Sequence, residues 1–128
     1  MEKLLLVFLG GGVGSMARYG VGVASSKWFG ATTGWPAIFT VNVVGGFLMG
    51  ALVATLALRG GADQERFRVL LAVGVLGGFT TFSSFSLDAV RMIETRAYGA
   101  AAAYVAASVV LSIAALFAGL MLVRRLLA

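Results

Sequence analysis

Four apolar stretches, each long enough to cross a lipid bilayer as a helix, occupy most of this chain and limit what it can fold into. They run from about Leu4 to Ala24, from Pro36 to Leu58, from Phe67 to Glu94 and from Tyr98 to Val123. A helix needs roughly 20 residues to cross the hydrocarbon core. Inside that core every backbone N–H and C=O must find a partner within the protein, so continuous apolar stretches of this length become helices. Of the 128 residues, 60% are hydrophobic and 12% charged, with a mean hydropathy of +1.00, which places the chain among integral membrane proteins. The expected fold class is all-α: one domain over residues 1–128, a bundle of four transmembrane helices.

The connectors agree with this division. Lys27, Trp28, Gly34, Trp35 and Pro36 separate the first two helices, and both tryptophans suit the aromatic belt at the membrane interface. Pro36 fits the first turn of the second helix, where its missing N–H costs nothing. Gly60 and Gly61 end that helix, Asp63 is positioned to cap the third, and Arg96 and Gly99 mark the turn before the fourth. Lys3 followed by the apolar run to Leu9 and by Ser15-Met16-Ala17 has the outline of a cleaved signal peptide. The apolar pattern continues past Ala17 and three further spans follow, so an uncleaved first helix is the simpler reading.

The net charge of +5 does not indicate nucleic acid, because the basic residues stand mostly at the ends of apolar stretches, where they anchor helices and set orientation. Lys3, Arg59, Arg66, Arg68, Arg124 and Arg125 share one side; Lys27, Arg91 and Arg96 lie on the other. That bias favours the termini in the cytoplasm. Cysteine and histidine are both absent, which removes disulfides, thiol nucleophiles, the commonest general base and the commonest transition-metal ligand. No acid–base or nucleophile constellation remains for an enzyme.

The third stretch breaks its own pattern. Residues 77–86 read Gly-Gly-Phe-Thr-Thr-Phe-Ser-Ser-Phe-Ser. The paired glycines predict an interruption at Gly77–Gly78, near the middle of the span. Thr80, Thr81, Ser83, Ser84 and Ser86 bring hydroxyls where lipid demands hydrocarbon. Irregular backbone at membrane depth survives only when buried in protein or lining a wet cavity. The segment therefore builds a site for something other than lipid.

Other polar residues sit at membrane depth. Asn42 in the second helix reads either as an interhelical hydrogen bond or as part of a site. Arg18 in the first reads as a side chain snorkelling to the interface or as a site residue. Tyr104, Ser108 and Ser112 recur at every fourth position and form one stripe on the fourth helix, suited to close packing or to a polar track. Glycines at 10, 11, 12 and 14, and Gly46-x-x-x-Gly50, fit close helix packing. Gly10-x-Gly12 is no nucleotide loop, because Ser15 stands where its last glycine would be and no Gly-Lys-Ser/Thr follows. Taken together, the polar groups are hydrogen-bond donors with almost no acids. Asp88 is the only candidate carboxylate at depth, and it lies near Arg91 at i+3. Donors without acids suit an anion, and the electropositive edges of Phe82 and Phe85, which share a helical face, add to them.

These residues carry a resemblance. The 77–86 motif, Thr-Val-Asn-Val-Val-Gly-Gly around Asn42 and Gly-Gly-Val-Gly-Ser-Met-Ala-Arg-Tyr near the start resemble the Fluc/CrcB fluoride channel family over essentially the whole chain. The resemblance implies a passive, fluoride-selective channel that exports the toxic anion across the bacterial cytoplasmic (inner) membrane. It implies a dual-topology, antiparallel homodimer with two pores at the subunit interface. Phe82 and Phe85 would line the pore beside Asn42, with Thr81 and Ser83 from the same motif on the fluoride pathway. Tyr104, Ser108 and Ser112 would continue the polar track, and Arg18 would stand in the vestibule. Gly77 and Thr80 would offer backbone carbonyls to a structural Na⁺ at the dimer centre, as unwound helices do for hard cations. Two positions depart from the family pattern: Ile38 replaces a common threonine and Asp88 a common glutamate.

The alternative of a different class is a small multidrug-type proton-coupled antiporter, also built of four helices. It needs a carboxylate in the first helix, and Glu2 stands outside the span. A non-transporting assembly protein is the third reading, and flux in pure liposomes separates it from the other two.

Overall fold

The structure, a computed structural model, describes residues 1–30 and 33–128. It is all-helical, and its four long apolar elements are each of membrane-spanning length: Glu2–Phe29, Trp35–Arg59, Gln64–Glu94 and Tyr98–Leu127. The helices extend past the apolar stretches at several ends. Lys27 and Trp28 belong to the last turn of the first helix rather than to a connector, and Gly99 lies inside the fourth. Asp63 occupies the N-cap position of the third helix, yet its side chain makes no capping bond and faces Arg66 Nη1 at 3.6 Å.

Small residues bring the helices together. A Cβ placed on Gly14 would strike the Val75 carbonyl, and one on Gly78 would stand 2.5 Å from the Gly11 carbonyl, so the first and third helices touch backbone to backbone. Gly46 and Gly50 do the same for the second helix against Ser112 and Leu116 of the fourth. This close approach is how helices associate where lipid removes the hydrophobic drive between them. One buried cluster joins Phe85, Ala89 and Tyr104, with Ile38, Phe39 and Met92 packed against it. Large apolar side chains such as Leu4, Phe8, Met16 and Phe117 point outward. A soluble protein would bury them; here they meet hydrocarbon.

The third helix is irregular twice. Residues Arg68–Leu76 wind as a π-helix. The helix then breaks, but three residues later than the glycines predict. Gly77–Phe79 is helical, and Thr80 and Thr81 are the extended residues, with ψ of 157° and 122°. Of the paired glycines, Gly78 serves the crossing with the first helix, and side-chain hydrogen bonding to the backbone makes the break. Beyond it the second arm runs from Phe82 to Glu94. That arm ends in a tight turn: Ala97 N–H reaches Met92 C=O at 2.8 Å and Arg96 N–H reaches Ile93 C=O at 3.0 Å. Arg96 sits at φ +59°, the left-handed position this motif usually gives to glycine. At the opposite end of the bundle, Lys3 and Glu2 pair with Glu65 and Arg66, which puts the amino terminus beside the turn after the second helix.

Candidate functional site

The break is held by one residue of the second helix. Asn42 Oδ1 accepts the Thr81 N–H at 2.9 Å, and Asn42 Nδ2 donates to the Thr81 carbonyl at 3.1 Å. The amide pairs with Thr81 as a neighbouring strand would, satisfying both backbone groups of an extended residue that no helix serves. Only one orientation of the amide fits, since its oxygen must face the N–H and its nitrogen the carbonyl. Thr81 Oγ1 then caps the following arm by accepting the Ser84 N–H at 3.2 Å. Ser83 Oγ lies 3.2 Å from the same hydroxyl. Before the break, Thr80 Oγ1 donates back to the Leu76 carbonyl at 2.9 Å and closes the preceding arm.

Around this joint opens a groove of about 370 Å³. Asn42, Thr80, Thr81, Phe82 and Phe85 line one side, and Ser108, Val109, Ser112 and Ile113 of the fourth helix line the other. No charged residue is among them. The rings of Phe82 and Phe85 stand 5.5 Å apart, tilted at 47°, and both line the groove. Their burial differs sharply. Phe85 is 8% exposed and packs on Tyr104 at 5.2 Å, whereas Phe82 is 79% exposed and projects from the bundle. The hydroxyls of Ser108 and Ser112 are buried and have no hydrogen-bond partner among the described residues. Buried polar atoms are nearly always partnered, and helical serine usually bonds the carbonyl one turn back. Two such hydroxyls one turn apart in one groove are donors kept available.

Tyr104, the third member of the stripe, lies deeper. It stacks edge-on against Trp35 at 6.0 Å, and its hydroxyl donates to Asp88 Oδ2 at 3.5 Å, the long end of hydrogen bonding. Asp88 is 8% exposed and forms no ion pair with Arg91; the two line a separate cavity of about 210 Å³ with Trp35 and Met92. The i+3 spacing had pointed to Arg91, and the contact across helices takes precedence. Arg18 is partly exposed on the first helix and lines neither cavity, Ser83 is exposed beside the groove, and Gly77 is helical just before the break. Sequence reasoning missed Val109 and Ile113, because apolar residues on an apolar helix carry no signal. Their place beside Ser108 and Ser112 in the fourth-helix turn is the only clue to them.

The geometry is a neutral groove of hydroxyls, one amide and two phenylalanine rings at a helix break. Residues 5–120 match the family model described as CrcB-like protein, Camphor Resistance (CrcB). A Caulobacter sp. (strain K31) protein named fluoride-specific ion channel FluC is 61% identical, over 98% of both chains. Proteins of the same name from Caulobacter vibrioides (strain NA1000 / CB15N) and Phenylobacterium zucineum (strain HLK1) are 62% and 57% identical, over the full length of both chains in each case. The chain belongs to the CrcB-like family.

Proposed function

We propose that this protein is a passive, fluoride-selective channel of the bacterial inner membrane, working as an antiparallel homodimer. The observation that carries this is the charge-free groove, lined by Asn42, two serine hydroxyls without a partner among the described residues and two phenylalanine rings. Fluoride is small, hard and strongly hydrated. Moving such an ion into a medium of low dielectric costs tens of kcal/mol by Born solvation unless polar groups replace its water. Hydroxyl donors and ring edges supply that replacement without a fixed countercharge. Neutral donors also let the ion leave, which conduction requires as much as entry.

The groove is open along one side of the subunit, and Phe82 stands almost fully exposed there. A second copy covering that side would enclose the pathway. The same break supports a monovalent cation site. In an unbroken helix the Thr81 and Ser84 N–H groups would close onto the Gly77 and Thr80 carbonyls; here they go to Asn42 Oδ1 and Thr81 Oγ1. Both carbonyls lose their helical donors, and two subunits would present four to one Na⁺. When bound, the ion would hold the two breaks together electrostatically.

The test is efflux from proteoliposomes followed with ion electrodes. Fluoride should leave and chloride should stay, with no proton gradient required. Equal chloride flux, or strict dependence on a proton gradient, would overturn the channel and favour an antiporter. Cysteine labelling at an added terminal site should find both orientations in active samples. Replacing Na⁺ by a bulky organic cation throughout purification should lower activity.

A further inference from the structure

The turn between the second and third helices lies over another groove, apart from the one at the break. It holds about 410 Å³, with Leu52, Leu56, Phe67 and Leu71 as apolar walls and Arg59 among the polar residues at its rim. Leu52 precedes Arg59 by two helical turns, so the groove descends about 10 Å along the second helix at 1.5 Å per residue. The charges at this end are unevenly matched. Arg66 pairs with Glu2 and Asp63, Arg68 reaches Glu65 at 2.9 Å, and Lys3 reaches Glu65 at 3.5 Å. Every carboxylate here is engaged, including Asp63 on the groove itself. Arg59 has no carboxylate within ion-pair distance among the described residues. A cation at the end of a helix is favoured by the dipole; that accounts for the charge but not for the apolar groove beneath it.

We infer that this groove binds an anionic phospholipid, its phosphate on the Arg59 guanidinium and the upper part of one acyl chain along Leu52, Leu56, Phe67 and Leu71. The planar guanidinium fork fits phosphate oxygens in pairs. Basic pockets between membrane helices take up anionic head groups. A soluble phosphate would satisfy Arg59 and leave the apolar walls uncovered, whereas a lipid satisfies both. The inference rests on the chain spanning a membrane and is independent of which ion it conducts.

Native mass spectrometry of the purified protein in mixed micelles of phosphatidylglycerol and phosphatidylcholine tests it. Phosphatidylglycerol should be retained about fivefold in preference, the factor one basic residue supplies near an anionic surface. Arg59→Gln should abolish the preference, Arg59→Lys should keep part of it, and Arg124→Gln should leave it intact. Equal retention of the two lipids by the unaltered protein overturns the inference, whatever the variants do. An unchanged preference in Arg59→Gln overturns it as well. Glycerol phosphate competing as well as the lipid would reduce the site to a soluble anion site and exclude the acyl groove.

Discussion

Replacing Asn42 by leucine removes the side chain that satisfies both backbone groups of Thr81 at the break in the third helix. Leucine has nearly the same size, so packing is largely kept and the effect isolates the hydrogen bonds. The Thr81 N–H and C=O, now bonded to Asn42 at 2.9 and 3.1 Å, both lose their partner. A buried backbone group left without a bond costs about 1–3 kcal/mol, so two such groups in this partly buried place cost about 2–4 kcal/mol. That is about 30- to 900-fold in the population of the ordered break. Two consequences should appear together: a lower thermal unfolding midpoint in detergent, and fluoride efflux reduced at least tenfold in proteoliposomes containing equal amounts of protein. Thr40→Val is the control. Its hydroxyl bonds the Pro36 carbonyl of its own helix, at 2.7 Å, so the loss should be under about 1 kcal/mol and flux should stay near normal. Wild-type midpoint and flux in Asn42→Leu would refute the idea that the amide holds the break.

Phe82→Leu should stop flux with an unchanged elution profile and lose only about 0.5–1.5 kcal/mol, from its one ring contact; Phe85→Leu should stop flux and lose about 1–3 kcal/mol from its two, while Phe79→Leu changes flux less. Ser108→Ala and Ser112→Ala should leave the midpoint unchanged or raised, since neither hydroxyl has a partner to lose among the described residues, yet slow fluoride efflux, most in the double variant. Gly14→Ala drives a Cβ into the Val75 carbonyl and should lower the midpoint sharply, whereas Gly12→Ala meets open space and should be tolerated. Arg96→Gly should raise the midpoint by relieving the left-handed turn, a gain of about 1 kcal/mol read as a shift in thermal unfolding.

The membrane spans were legible because a hydrocarbon environment leaves so little choice: an apolar run of sufficient length becomes a helix, and only its ends are ambiguous. Those ends shifted outward, as at Lys27 and Trp28, because helices continue into the interface after their residues stop being apolar. The polar residues of the groove were legible for a related reason. Asn42, Ser108 and Ser112 are expensive where lipid would be, so their presence signals a structural or functional duty. The position of the break was not. Glycine pairs read as weak helix, but in this bundle Gly78 and Gly14 are demanded by a helix crossing, and the backbone around them stays helical. Thr81 breaks the helix because Asn42, 39 positions away in sequence, offers its backbone a better partner. No local pattern encodes a contact of that range. The π-helical winding of Arg68–Leu76 and the approach of Tyr104 to Asp88 escaped sequence reasoning on the same ground: both depend on neighbours that only the assembled bundle supplies.

A helix break at membrane depth leaves backbone groups without partners, and the way this chain satisfies them shapes what the groove can accept. Had the Thr81 N–H been served by a carboxylate, a fixed negative charge would stand where the proposed anion passes. Had an arginine served the carbonyl, a full positive charge would hold the anion too tightly for it to leave. An amide does both tasks with no net charge. The same logic applies across the groove, where serines add dipoles rather than charges, and it fits the position of Arg18 outside the lining. Asn42 thus ties structure to the proposed conduction. The bond pair that makes an extended residue affordable within a membrane helix also keeps the groove neutral, and a neutral groove suits the proposed passage because no fixed charge there holds the anion back from leaving.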